Sequence, residues 1–170
     1  MRVTIDDPNL DQAESMIAVD PNDPQHLVGV AIDWRRTNGR WGIGSYASFD
    51  GGISWQQGML DEPTYAVQAD PSLAICPDGS VVVNLISYQP SIPGMGLYFF
   101  RSIDGGRTFP FRRTVVNSPS SSPLLDKNWI ACDDSSSSFR GRIYSAYLET
   151  TTLRRLVVRY STDAGSTWSA

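Results

Sequence analysis

One eight-residue phrase is written three times in this chain: "SFDGGISW" at 48–55, "SIDGGRTF" at 102–109 and "STDAGSTW" at 161–168. Its aspartates, Asp50, Asp104 and Asp163, stand 54 and 59 residues apart. A period of about 50 residues marks a repeat architecture, in which one supersecondary unit recurs and buries its faces against its neighbours. Between the phrases lie short runs such as "LVGVAIDW", "GIGSYASF", "VVVNLISY", "GLYFFRSI", "RIYSAYLE" and "RLVVRYS". They are rich in Val, Ile, Tyr and Phe, are punctuated by Pro, Gly, Asn and Asp, and show no sustained helical period. Three or four strands per period make a four-stranded sheet, and such sheets repeated are propeller blades. The chain is therefore predicted to be an all-β propeller segment over 1–170, with blades at about 12–61, 70–118 and 126–170 and the last strand of the third blade missing.

The phrase falls on the hairpin between the third and fourth strands of each blade, and its composition suits that place. Asp50, Asp104 and Asp163 can accept hydrogen bonds from turn N–H groups, while Gly52, Gly106 and Gly165 supply positive φ without a Cβ clash. Trp55, Phe109 and Trp168 cover the hairpin, and the hydroxyls of Ser48, Ser102 and Ser161 tie the loop to itself. A calcium loop needs six to eight oxygens, and each phrase offers one carboxylate. The phrase is expected to be a folding clip.

The pattern Ser-x-Asp-x-Gly-x-Thr/Ser-Trp/Phe resembles the Asp-box, or bacterial neuraminidase repeat, of sialidases and their relatives, and the resemblance covers nearly the whole chain. "AESMIAVDPNDPQHLVGVAID" and "DKNWIACDDSSSSFRGRIYSAYLE" also look like blade starts of that family. The resemblance implies a propeller of six or more blades, boxes on the face away from the active site, glycans as substrate or ligand, and an extracellular or cell-envelope location. It also implies an Arg on the loop after the second strand that holds a sialic-acid carboxylate, and Arg35 or Arg36 falls near that place. The acid catalyst that follows in sialidases has no counterpart in "TNGRWGIGSY", and "ESMIAV" stands where Arg-Ile-Pro is the pattern. The Tyr and Glu pair of sialidases comes from later blades. This segment is thus expected to lack a complete catalytic set, as part of a sialidase-like exo-glycosidase or as a propeller that binds glycan or protein without catalysis.

Three blades do not close a ring, so two arrangements are expected. The chain is a piece of a longer propeller, or residues 2–5, "RVTI", supply the outer strand of a partner's third blade and two chains close a six-bladed homodimer. Fourteen Lys and Arg against eighteen Asp and Glu leave a net charge of -4, which excludes the basic footprint that nucleic acid requires. No apolar run approaches the roughly 20 residues of a membrane span, and no signal peptide opens the chain.

Two candidate sites emerge at the ends of strands. Asp33, Trp34, Arg35, Arg36 and Trp41 form the densest charged and aromatic cluster among the upper loops; Arg forks and indole faces suit an acidic sugar. Arg35, Arg36 and Arg40 read equally as a solvated basic loop. Aligning the inner strands places the carboxylates Glu14, Asp70 and Asp126, with Lys127, at the channel mouth. There they cap neighbouring N–H groups or converge on a cation such as calcium; no other cofactor is expected. His26 is placed in a turn on the lower side. Cys76 and Cys132 are one residue out of register between repeats, which in strands turns them to opposite faces; they are expected to be separate buried thiols rather than a disulfide.

Overall fold

A computed structural model describes residues 11–34, 41–91, 93–120 and 123–170. Among these residues, eleven strands make three antiparallel sheets in chain order. The first sheet is β1 (Gln12–Asp20), β2 (Asp23–Asp33), β3 (Gly42–Ser48) and β4 (Gln56–Leu60); the second is β5 (Val67–Ile75), β6 (Val81–Tyr88), β7 (Met95–Ser102) and β8 (Phe111–Ser118). The third holds β9 (Leu124–Cys132), β10 (Ile143–Thr150) and β11 (Arg154–Ser161). Each sheet runs as a meander, so consecutive strands pair. This is the blade of a β-propeller, with β1, β5 and β9 as the inner strands packed side by side. The "RVTI" strand lies outside the described residues.

The core is the two gaps between blades. Val28, Val30 and Ile32 of the first sheet meet Leu73, Val83 and Phe100 of the second. Val82, Leu97 and Phe99 of the second meet Ile130, Ile143 and Tyr147 of the third. A middle blade is covered on both sides, which is why β6, "VVVNLISY", is almost continuously apolar and buried. In β10, "IYSAYLET", buried and less buried residues alternate, because only one face of that sheet is covered among the described residues.

Each inner strand carries the same irregularity. Glu14, Asp70 and Lys127 adopt φ of 52°, 50° and 48°, where non-glycine residues are strained, and the ladder slips beside each. These are β-bulges, and they re-aim one side chain per blade. They also lengthen the inner strands beyond the runs "SLAIC" and "NWIAC": β5 continues back through Pro71 to Val67, and β9 to Leu124.

The cysteines correct the expectation. Cys76 and Cys132 form a disulfide across the gap between the second and third blades, with Cα atoms 5.2 Å apart. The one-residue offset does turn them to opposite faces, but neighbouring blades meet opposite face to opposite face. Cys76 and Ala74 point from the second blade toward the third; Cys132 and Ile130 point back. Parity that forbids a pair within one sheet permits it between two. His26 is likewise not in a turn but within β2.

Candidate functional site

The three repeated phrases close the β3–β4 and β7–β8 hairpins and follow β11. In the first, the Ser48 hydroxyl donates to Asp50 Oδ1 at 2.9 Å and accepts the Gly52 N–H at 2.8 Å. The Asp50 carboxylate in turn accepts the Ser54 N–H at 2.9 Å and the Ser54 hydroxyl. Trp55 closes the loop by donating from Nε1 to the Gly52 carbonyl at 2.9 Å. The same set recurs at Ser102, Asp104, Gly106 and Thr108, and at Ser161, Asp163, Gly165 and Thr167. Hydrogen bonds to the ionised form hold all three carboxyls near pKa 2. At Asp50 and Asp163 the Ser54 and Thr167 hydroxyls lead; at Asp104 burial pushes upward and the Ser102 and Thr108 hydroxyls outweigh it.

Two of the phrases also dock on the preceding blade. His26 Nε2 lies 2.9 Å from the Gly105 carbonyl, its Nδ1 lies 3.0 Å from Asp20 Oδ2, and its ring stacks on Phe49. The Arg107 guanidinium covers Phe49 at 3.6 Å. Trp168 sets its ring edge against Phe99, and Phe109 packs on the first gap. Gly165 has φ of +87°, and a Cβ there would stand 2.1 Å from the Phe99 ring. Both oxygens of each carboxylate thus accept hydrogen bonds from within their own hairpin.

At the opposite end the bulges of the inner strands form a chain. Glu14 Oε2 accepts the Asp70 N–H at 2.9 Å, and Asp70 Oδ2 accepts the Lys127 N–H at 2.9 Å. One turn of the ladder deeper, Met16 Sδ meets the Leu73 N–H and Ser72 Oγ accepts the Ile130 N–H at 3.0 Å. Glu14, Met16, Asp70, Ser72 and Lys127, with Asn128 and Trp129, line an open cleft of about 340 Å³. Burial and the neighbouring Glu14 raise the Asp70 pKa, so this carboxyl holds its proton more tightly than an ordinary aspartate. Beneath the cleft, Asn128 Nδ2 donates to Asn84 Oδ1 at 2.8 Å and Asn84 Nδ2 to Ser145 Oγ at 3.0 Å, a buried polar tie between two blades.

Asp126 does not join this group. The bulge brings Lys127 to the mouth instead, while Asp126 is exposed opposite Leu148 and lines a separate cleft with Tyr88 and Arg154. Trp129 is the residue sequence reasoning missed: it is 58% exposed on the mouth beside Lys127. Its signal was in the repeat, since it stands two residues before Ala131, where Met16 and Ser72 stand before Ala18 and Ala74. Among the described residues, no three His, Cys, Asp or Glu side chains converge as a metal site.

The loop cluster is split. Asp33 is fully buried, with the Tyr46 hydroxyl donating to its Oδ2 at 2.6 Å, so its carboxylate faces the blade interior and not the loop surface. Trp34 packs partly on the first gap, and its ring lies 5.1 Å from that of Trp41, which is 36% exposed. Arg35, Arg36 and Arg40 lie outside the described residues. No described helix is long and apolar enough to cross a membrane.

Comparison with known proteins agrees with this geometry. The BNR/Asp-box repeat family matches residues 46–57 and 159–170, the first and third phrases. No curated protein sequence matches the chain. Among solved structures, an α-L-arabinanase of Penicillium chrysogenum complexed with arabinobiose superposes with a TM-score of 0.74 at 13% identity, over 94% of this chain and 48% of that one. An α-L-arabinofuranosidase of Fusarium graminearum, in complex with an iminosugar inhibitor, gives 0.74 at 15% identity over 94% and 47%. A protein of unknown function from Dyadobacter fermentans gives 0.67 at 16%, over 96% and 54%. The chain spans about half the length of these structures. Its fold is theirs: a run of three β-propeller blades carrying BNR/Asp-box repeats.

Proposed function

We propose that this chain is part of a glycan-processing propeller of exo-glycosidase type, and that the cleft between the inner-strand bulges contributes to sugar recognition. The observation that carries the reading is the cleft itself. Three strained bulges hold Glu14, Asp70 and Lys127 side by side at the mouth, and Trp129 stands exposed beside them. Indole faces stack on sugar rings, carboxylates accept their hydroxyls, and a carboxyl with a raised pKa can donate a proton to a leaving oxygen. Backbone strain kept at the same place in three blades is the mark of a position held for function.

The two carboxyl groups and the net charge of -4 favour a neutral sugar, such as the arabinose units bound by the similar fungal structure. The sialidase-type reading, with an acidic sugar, rests on Arg35 and Arg36 of the upper loop. The Cys76–Cys132 disulfide supports an oxidising, extracellular or envelope setting. The alternative, a propeller that binds glycan or protein without catalysis, is favoured by one observation: one oxygen of Glu14 and one of Asp70 are already committed to backbone N–H groups.

Titration with arabinobiose, with sialic acid and with a neutral galactoside, followed through indole NMR signals, tests the reading. Arabinobiose should shift the Trp129 signal, and Trp129→Ala should abolish binding while the Trp55 and Trp168 signals stay in place. Absence of any sugar-induced shift at Trp129 would leave the cleft without its assigned role. A shift at Trp34 or Trp41 with sialic acid alone would move the site to the upper loop.

A further inference from the structure

We propose that the mouth cleft takes the terminal unit of a glycan chain and that a neighbouring groove, between the second and third blades, takes the next unit, with Tyr88 joining the two. The inference rests on the sugar-binding reading of the mouth and adds chain length to it: the ligand is the end of an oligosaccharide and not a free monosaccharide.

The groove has a volume of about 320 Å³ and is lined chiefly by Tyr88, Pro90, Ser91, Pro93, Met95 and Leu124. All of these but Leu124 belong to the second blade, which has a neighbour on both sides. Its walls are fixed before any ligand arrives. The loop after β6 is folded back by Gln89, whose N–H donates to the Gly94 carbonyl at 3.3 Å and whose Oε1 accepts the Ala66 N–H at 3.2 Å. Gly94, at φ of +146°, lies against Tyr65, whose hydroxyl would stand 3.0 Å from a Cβ there. On the other side Met95 Sδ accepts the Leu125 N–H at 3.0 Å, and the Ser118 hydroxyl donates to the Pro123 carbonyl at 2.9 Å. Those two bonds tie β7 and β8 to the start of β9. A groove held this way has little ordering left to do on binding.

Continuity with the mouth comes from two elements. Burial raises the Tyr88 pKa, and Asp70 and Glu14 raise it further, so the phenol stands within the field of both mouth carboxyls. On β9, Leu124 lines the groove and Lys127 the mouth, about 10 Å apart along a strand, which is the reach of a disaccharide. The chemistry continues as well. The prolines and Met95 offer C–H surface, Tyr88 a ring face with a hydroxyl, and Ser91 a second hydroxyl, while among the described residues no Asp, Glu, Lys or Arg lines the groove. Such a lining suits a neutral sugar ring, apolar on its faces and polar at its rim, better than a charged segment.

Met16 and Met95 report on the two places separately, since one lines the mouth and the other the groove. With isotope-labelled methionine methyl groups, free arabinose should shift the Met16 methyl and the Trp129 indole signals and leave Met95 in place. Arabinobiose should shift all three and bind about tenfold more tightly, the factor of one good aromatic contact. Tyr88→Leu keeps an apolar side chain in the packing and should remove that gain without changing the affinity for arabinose, whereas Tyr88→Phe should keep most of it. Unmoved Met16 and Trp129 signals in the free variants report that the mouth is intact. Arabinobiose that shifts Met16 and Trp129 but not Met95, or that binds no more tightly than arabinose, overturns the second place and leaves the sugar reading of the mouth standing. Equal losses for both sugars in Tyr88→Leu overturn the joining role of Tyr88. Silence of Met16 and Trp129 toward every sugar overturns the sugar reading itself, and this inference with it.

Discussion

At the scale of single residues, the repeated phrase is a hydrogen-bond circuit whose centre is one carboxylate. Asp104 accepts from the Ser102 hydroxyl at 2.6 Å, the Thr108 hydroxyl at 2.6 Å and the Thr108 N–H at 3.0 Å. Asp104→Ala should cost about 1–3 kcal/mol, since it strands those donors, and thermal unfolding measures it. The linkage to pH has a definite sign. The folded pKa of about 2 lies below the ordinary 3.8, so the stabilisation is complete above pH 4 and is lost as pH falls from there toward 2. The melting midpoint of the wild type should drop across that window, and Asp104→Asn should flatten the drop. Ala164 offers the opposite experiment. It holds φ of 57° where the other two phrases place Gly51 and Gly105 at 69° and 74°. Ala164→Gly should therefore stabilise by about 0.5–1 kcal/mol, the left-handed strain outweighing the glycine entropy.

At the scale of strands and hairpins, what holds blade to blade is a small set of ties laid over apolar packing. The Cys76–Cys132 bond closes a loop of 56 residues, so Cys132→Ser should cost about 2–4 kcal/mol, and a reducing agent should lower the wild-type midpoint to that of the variant. His26 is a second tie. Its Nδ1 lies 3.0 Å from Asp20 Oδ2 and its Nε2 lies 2.9 Å from the Gly105 carbonyl, so the ring bridges two elements. His26→Phe keeps the stack on Phe49 and should lose about 1–3 kcal/mol in the same assay. These ties show where the sequence was legible and where it was not. Hairpins could be read because each phrase is local and its spacing repeats. Inner-strand starts could not, because Pro71 and the bulges at Asp70 and Lys127 look like loop chemistry and are embedded in β5 and β9. The disulfide was misjudged because a parity argument for one sheet was applied to two. Asp33 was misplaced for a similar reason: its charge suggested solvent, but its partner Tyr46 lies thirteen residues on, in the next strand.

At the scale of the whole molecule, three blades in a row give an unequal distribution of stability. A repeat array is close to a sum of units and nearest-neighbour contacts, so a unit with two neighbours is held by two contacts and a terminal unit by one. The second blade is that unit: Val81, Val82, Val83 and Leu85 of β6 are each 0% exposed, and its two faces line the two gaps of the core. The third blade has its outer edge at β11, where Arg154, Arg155 and Leu156 are exposed. Local opening should begin there and at β4, a five-residue strand on the outer edge of the first blade. Native-state hydrogen exchange should accordingly find the amides of Val82 to Leu85 slowest, opening only with global unfolding, and those of β11 among the fastest of the strand residues. Exchange in β11 as slow as in β6 would mean that the third blade is held by something other than the one neighbour described.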